Sequence, residues 1–261
     1  MDISGTTKLL PIIGAPVAGV VSPPGMNDWF RTRGIDCRML PLDVPAPVLT
    51  EFWALLRASE TFLGCSITYP HKQAAFQEAN QVTDRAGRIR AVNTLRRESD
   101  VLVGDMTDGL ALMEALRVSG VPVAGRSAHI MGAGGGAGRA IADALCETGV
   151  SDVVLSDTDE GRLAETAAIL RAHWPKVRIW EEERAADILI DATPTGKDQT
   201  AGPLFPAERI RECMAVCDIA GLQGESKFLR LAAELGKQIV DAAALGRGQI
   251  SVQTSFVFKD A

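Results

Sequence analysis

The sequence has no run approaching the about 18 consecutive apolar residues that would span a bilayer, so no membrane partner is expected. It opens MDISGTTKLL, without a basic start followed by an apolar block, so no secretory leader is expected and a cytoplasmic location follows. Histidine is scarce: His71, His129 and His173 stand far apart, with no H-E-x-x-H spacing. Cysteine is scattered and odd in number, at Cys37, Cys65, Cys146, Cys213 and Cys217. The nearest two, Cys213 and Cys217, have no histidine or second cysteine pair nearby to complete a zinc set. No metal site is expected, and buried reduced thiols are. Nor is there a basic excess: 27 Lys+Arg stand against 33 Asp+Glu, a formal net charge of −6 with the signs interleaved. A surface that tracks phosphates needs clustered cations, which excludes nucleic acid as a partner. What remains is an ordinary globular balance, 46% hydrophobic and 23% charged over 261 residues. Disorder is excluded, and the length fits one large core or two modest ones.

Apolar runs of strand length alternate with amphipathic stretches of helix length. Residues 9–13, 37–42, 62–67, 91–96 and 101–104 read as strands, with helices at 28–33, 46–59 and 71–79. Such alternation predicts an α/β protein with parallel strands under covering helices. The stretch VSGVPVAGR at 118–126 is rich in Gly, Pro and small residues and reads as a junction. Beyond it come a strand at 127–131, a helix at 139–147, a strand at 152–155 and a helix at 160–173. Strands at 177–180, 187–191, 215–219 and 238–240 follow, with a helix at 226–235. Strand, glycine turn, helix, strand is half of a doubly wound dinucleotide fold.

The turn itself is Gly132-Ala133-Gly134-Gly135-Gly136-Ala137-Gly138, and Gly132-x-Gly134-x-x-Ala137 fits G-x-G-x-x-G/A. A pyrophosphate lies on the N-terminus of the next helix, where unbonded N–H groups and the positive dipole end point outward. Side chains there would block close approach. The bland alternative is a tight strand-to-helix turn. Asp157, at the end of the following strand, suits a carboxylate that accepts from both ribose hydroxyls and repels a 2′-phosphate. That predicts NAD rather than NADP; as an alternative or additional role, Asp157 caps the helix that follows.

Thr68-Tyr69-Pro70-His71-Lys72 reads as a strand end leading into a helix with Pro70 as its first residue and Lys72 in its first turn. A cation there is unfavourable by about 0.3–1 kcal/mol, and departures from local rules concentrate at functional sites. Alone, Lys72 would be an ordinary surface lysine. Gly104-Asp105-Met106-Thr107-Asp108-Gly109, however, also follows a strand and opens a helix at 110–117. Asp108 is either a helix cap or a partner that meets Lys72 above the carboxyl edge of one sheet, where open α/β sheets place ligands.

Together these blocks resemble the shikimate/quinate dehydrogenase family. Thr68–Lys72 is similar to that family's T-[VI]-P-[FH]-K, Ala91-Val92-Asn93-Thr94 to A-V-N-T, and 104–109 to G-D-N-T-D-G. Ala192-Thr193-Pro194-Thr195-Gly196 is similar to A-T-P-x-G, and Gly248-Gln249-Ile250-Ser251-Val252-Gln253 to G-M-L-V-x-Q. The blocks keep the family's order and spacing over nearly the whole chain. The resemblance implies an N-terminal α/β substrate domain (1–107, completed by a C-terminal helix at 245–261) and a Rossmann domain at 108–244. It implies reversible NAD(P)-linked oxidation of a ring hydroxyl on a cyclic hydroxycarboxylate such as shikimate or quinate. Lys72 and Asp108 would be the catalytic pair. Ser22, Thr68, Asn93 and Gln253 would bind the substrate. The stretch Gly132, Ala133, Gly134, Gly135, Gly136 and Ala137, with Asp157, Thr193, Ile219 and Gly246, would bind the cofactor. A monomer or homodimer is expected.

Departures from the family's pattern lie near the start, where G-x-P-[IV]-x-H-S-x-S-P becomes Gly14-Ala15-Pro16-Val17-Ala18-Gly19-Val20-Val21-Ser22-Pro23. Ser22 keeps the second serine, but Val20 replaces the first and Gly19 the histidine. A carboxylate facing valine loses about 1.5–3 kcal/mol of charge-assisted hydrogen bonding. Ser66 and Met106 replace asparagines, Gly221 stands where a tyrosine is common, and the glycine loop is one residue longer. A dehydrogenase for a related ring substrate, or a metabolite sensor without turnover, are the alternatives. A folate-type dehydrogenase would leave the Asp108 block unexplained.

Overall fold

A computed structural model describes residues 3–193, 204–219 and 226–259. Pro194, Thr195 and Gly196 of the A-T-P-x-G block, and Gly221, lie outside the described residues. The chain divides into two compact units, Met1–Thr107 with Gln249–Ala261, and Asp108–Gly248. Among the described residues no helix is long and apolar enough to cross a membrane.

The first unit runs β1 (Lys8–Leu9), β2 (Ile12–Gly14), α1 (Ser22–Thr32), β3 (Cys37–Arg38), β4 (Pro41–Asp43), α2 (Leu49–Ala58) and β5 (Gly64–Ile67). It continues with α3 (Lys72–Glu78), β6 (Gln81–Val82), α4 (Asp84–Ile89), β7 (Thr94–Glu98) and β8 (Val101–Asp105). Six strands form one sheet in the order β4-β2-β5-β7-β8-β6, and β1 pairs with β3. The expectation of parallel strands fails at β7, which is antiparallel to both β5 and β8. Only Ser99 and Asp100 join β7 to β8, and so short a connection must reverse the chain.

Other expectations shift for local reasons. The strand expected at 37–42 is two strands, because Pro11, which has no N–H, divides the segment they pair with into β1 and β2. The helix expected from 28 begins at Ser22, with Pro23 and Pro24 in a first turn whose N–H groups would have no helical partner. Pro70 does not start a helix: it follows a cis peptide bond, and α3 begins at Lys72 after the N-cap His71. Helix α4, capped by the Thr83 hydroxyl accepting from the Ala86 N–H, was not foreseen.

In the second unit come α5 (Asp108–Val118), β9 (Ser127–Met131), α6 (Gly136–Glu147), β10 (Asp152–Ser156), α7 (Glu160–His173) and β11 (Arg178–Trp180). They are followed by β12 (Ile188–Asp191), α8 (Ala207–Glu212), β13 (Ala215–Asp218), α9 (Lys227–Glu234) and β14 (Gln238–Val240); α10 (Ala242–Phe258) begins in this unit and from Gln249 onward belongs to the first. All six strands are parallel, in the order β11-β10-β9-β12-β13-β14, so the chain switches direction between β9 and β12. Side chains alternate across this sheet, and both faces are buried. Ile130, Val153, Leu155, Ile188 and Ile190 pack on one side with Leu112, Ile141, Leu145 and Leu170. Leu189 and Val216 pack on the other with Phe205, Ile210, Phe228 and Leu229. The stretch 118–126 is not a junction between units. It links α5 to β9 inside the second unit, because Val121 and Val123 are buried in its core.

His129, in the middle of β9, is 2% exposed. Its Nε2 bonds Ser156 Oγ at 2.9 Å, while Nδ1 has no hydrogen-bond partner among the described residues. Burial, helped by the positive charge of Arg209, holds its pKa down to about 4 from an ordinary 6.5. The unfolded chain therefore takes up this proton first as pH falls. Stability from the neutral ring is complete above pH 6.5 and is lost toward pH 4, by about 2–4 kcal/mol. Urea midpoints measured across that range should fall with acid in the native chain and flatten in His129→Gln. An unchanged slope in the variant would assign the effect to other groups.

Candidate active site

Strands β5, β7 and β8 set Ser66, Thr94 and Asp105 side by side, Ser66 opposite Thr94 and Thr94 opposite Asp105. Asn93 immediately precedes β7; its N–H donates to the Asp105 carbonyl and its own carbonyl accepts from the Ile67 N–H at 2.7 Å. Its side chain, 2% exposed, turns its oxygen into a cluster of donors. Asn93 Oδ1 accepts from the Thr107 N–H at 2.8 Å, the Thr107 hydroxyl at 3.0 Å and the Thr94 hydroxyl at 3.1 Å. From α10, Gln249 Nε2 donates to Thr107 Oγ1 at 2.8 Å. One turn later Gln253 Nε2 donates to both Ser66 Oγ and Thr94 Oγ1 at 2.9 Å.

A second buried group steadies the same segment. Asp105, 1% exposed, accepts both Arg85 Nε and Nη2, at 2.8 and 2.9 Å, the Thr83 hydroxyl and the Met106 N–H. A carboxylate so enclosed is tolerated only when paired and hydrogen-bonded. Met106, at the asparagine position of the family block, is buried beside it.

Lys72 is the first residue of α3 and is half-buried; its carbonyl accepts from the Val92 N–H at 2.9 Å, next to Asn93. The main chains of Lys72 and Thr107 are thus both tied to residues 92–93. Asp108 follows Thr107 directly and is the first residue of α5, in the second unit. Thr68 lies just beyond β5, two residues past Ser66, and Ser22 starts α1, off the sheet. Val20 packs against the apolar cluster of Leu10, Met26, Phe30 and Val257.

In the second unit the glycine turn sits at the carboxyl end of β9. The N–H groups of Gly132 and Ala133 both donate to the Ser156 carbonyl, and Thr166 Oγ1 holds the Ala133 carbonyl. Gly132 has φ +82°, and a Cβ there would meet the Ala192–Thr193 backbone at 2.9–3.0 Å. The tight position after the turn is not Ala137, the last of the G-x-G-x-x-G/A match, but Gly138, where a Cβ would lie 2.1 Å from the Gly132 carbonyl oxygen. The extra loop residue moves that requirement one place along. Helix α6 starts with no described side-chain cap and no acidic residue in its first turn. Around Gly136 a Cβ would meet nothing within 4 Å. The turn therefore has the open amide end and the bare backbone that a pyrophosphate requires.

Thr193 and Ile219 meet at this sheet edge through Asp191, a residue not singled out from sequence. Asp191 Oδ1 accepts the Thr193 N–H at 2.8 Å and its hydroxyl at 2.7 Å, and the Asp191 carbonyl accepts the Ile219 N–H. Burial pushes the Asp191 carboxyl up; the Thr193 bonds oppose this, and its strand neighbour Asp218 adds to it. Gly246 lies in α10 with open space beside it. Asp157 accepts the Gly134 N–H on one oxygen at 2.8 Å and the Asp159 N–H on the other at 2.9 Å. The cap of α7 is Asp159, not Asp157.

Residues 12–95 match the family model described as the shikimate dehydrogenase substrate binding domain. A protein of Rubrobacter xylanophilus named shikimate dehydrogenase (NADP(+)) is 36% identical over 239 residues, 88% of this chain and 83% of its own. One of the same name from Acidiphilium cryptum is 33% identical over 257 residues, 97% of this chain and 87% of its own. The crystal structure of shikimate 5-dehydrogenase from Thermus thermophilus with NADP(H) and shikimate superposes with a TM-score of 0.84. It is 29% identical, covering 97% of this chain and 94% of that one. These names overturn the NAD preference expected from Asp157. Both its oxygens accept backbone N–H groups, so the carboxylate has a structural use, tying two turns together, and its place at a strand end does not by itself mark a ribose ligand. The chain belongs to the shikimate dehydrogenase family.

Proposed function

We propose that this chain transfers hydride reversibly between NADP(H) and a ring hydroxyl or ketone of shikimate or a closely related cyclic hydroxycarboxylate. The observation that carries this is identity of 32–36% with proteins named shikimate dehydrogenase (NADP(+)) over about nine-tenths of the chain. When bound, the nicotinamide supplies the hydride acceptor or donor. The chain's own residues do the rest. Lys72 takes the proton of the reacting hydroxyl as hydride departs and returns it in the reverse direction. Asp108, at the start of α5, is the second member of the pair and works with Lys72 on that proton. Ser22, Thr68, Asn93 and Gln253 hold the substrate's polar groups and fix which hydroxyl faces Lys72. Amides of Gly136 and Ala137 at the open end of α6 bind the pyrophosphate, with Gly132–Gly135 shaping the turn around it; Thr193, Ile219 and Gly246 lie along the rest of the cofactor. Arg162, 66% exposed beside Gly134, supplies a cation for the 2′-phosphate.

Purified protein with shikimate should form NADPH, with a higher kcat/KM for NADP+ than for NAD+. Lys72→Ala should lower kcat by about a hundred- to ten-thousand-fold with little change in KM. Absence of turnover with every cyclic hydroxycarboxylate and both nicotinamides, alongside retained dinucleotide binding, would favour a sensor. Gly138→Ala should raise the KM for NADP+ by at least about tenfold and leave that for shikimate near its native value, since the clash is confined to the turn. Val20 stands where the family's pattern has its first serine and has no side-chain donor for a carboxylate, which supports a pocket altered at the acid-binding end. Val20→Ser should therefore raise kcat/KM for shikimate by about tenfold, the worth of one charge-assisted hydrogen bond. A loss would assign that end of the pocket another role.

A further inference from the structure

The geometry points to Gln249 as a positioning residue that acts through Thr107 to keep Asn93 a hydrogen-bond donor toward substrate. The inference rests on the reading of Asn93 as a substrate ligand.

Proton accounting carries it. A carbonyl oxygen has two lone pairs, and Asn93 Oδ1 meets three donors within 3.1 Å. One of them, the Thr107 N–H, can only donate, so the atom it meets is the amide oxygen and the flip of Asn93 is settled. Each threonine hydroxyl has a single proton. Thr107 Oγ1 accepts a hydrogen bond from Gln249 Nε2, which leaves its own proton for Asn93 Oδ1 or for Thr94 Oγ1, 3.2 Å away. Thr94 Oγ1 accepts one from Gln253 Nε2 and faces the same choice; whichever hydroxyl serves the other, the second one and the Thr107 N–H fill both lone pairs of Asn93 Oδ1. The two glutamines, four residues apart on α10, thereby direct the pair of hydroxyls toward one oxygen. With Oδ1 saturated, any hydrogen bond from Asn93 to a bound molecule is made through Nδ2, as donor. The substrate group it meets is an acceptor oxygen.

Without the Gln249 donor, the Thr107 hydroxyl is free to rotate and Asn93 Oδ1 loses a fixed donor; the Thr107 N–H still sets which way the amide faces, but the side chain is held less firmly. The test reads Asn93 directly as well as through catalysis. In nitrogen-labelled protein the Asn93 side-chain amide signal is assigned by its loss in Asn93→Ala. Gln249→Leu, and Gln249→Glu, which keeps the shape but removes the donor, should speed exchange of that amide by about tenfold. Both should raise the KM for shikimate by about 3- to 10-fold, with kcat within about twofold of native. Amide exchange and chemical shift unchanged in both variants would overturn the inference, whatever the KM. Faster exchange with a native KM in both Gln249 variants and in Asn93→Ala would instead overturn the reading of Asn93 as a substrate ligand, leaving its positioning by Gln249 in place. A melting temperature near native in Gln249→Glu separates either result from loss of fold.

Discussion

A buried polar atom must find its partner inside the protein, and in the first unit one carboxamide oxygen meets that need for several chain segments at once. Asn93 Oδ1 collects donors from Thr94 on β7 and from the backbone and side chain of Thr107 beyond β8. Gln249 and Gln253 on α10 feed the same two hydroxyls. Leaving a buried donor or acceptor unmade costs about 1–3 kcal/mol, so these elements are held in one mutual arrangement. The residues proposed for chemistry hang from it. Lys72 is tied to residue 92 by its carbonyl, and Asp108 follows Thr107 by a peptide bond.

The second unit solves a different problem with backbone. Its parallel strands end together, and the turn after β9 must pass close under the start of α6 and beside the chain after β12. Gly132 and Gly138 make both approaches, each at distances no side chain would allow. Asp157, Thr166 and Asp191 then fasten the turn and its neighbours through backbone groups. The correction on cofactor choice belongs here. A carboxylate at a strand end has the charge to reject a 2′-phosphate, but charge type alone does not say what its oxygens hold. In this chain they are engaged with the N–H groups of Gly134 and Asp159.

The α/β class, the strand–glycine turn–helix unit and the blocks around Lys72, Asn93 and Asp108 were all legible in the sequence, because they rest on local periodicity and on residue types with narrow uses. Local signals also misled where they were weak. Pro70 looked like a helix start because proline favours that position, yet the turn it sits in postpones α3 to Lys72. The small residues of 118–126 looked like a linker because composition does not reveal that Val121 and Val123 are buried. The direction of β7 was missed because parallel pairing was inferred from alternation, whereas a two-residue connection decided it.

Residue order by itself determined most of the strands and helices, where the glycine turn between strand and helix lies, and which family the chain resembles. Each of those depends on neighbours within a few positions or on short ordered motifs. Only the tertiary structure decided that Gln249 bonds Thr107 across 142 residues, that Gln253 bonds Thr94 across 159, and that Asp191 gathers Thr193 and Ile219. The physical reason is that a hydrogen bond is set by distances near 3 Å and by which lone pairs are already taken. Neither quantity exists until strands from distant parts of the chain lie side by side.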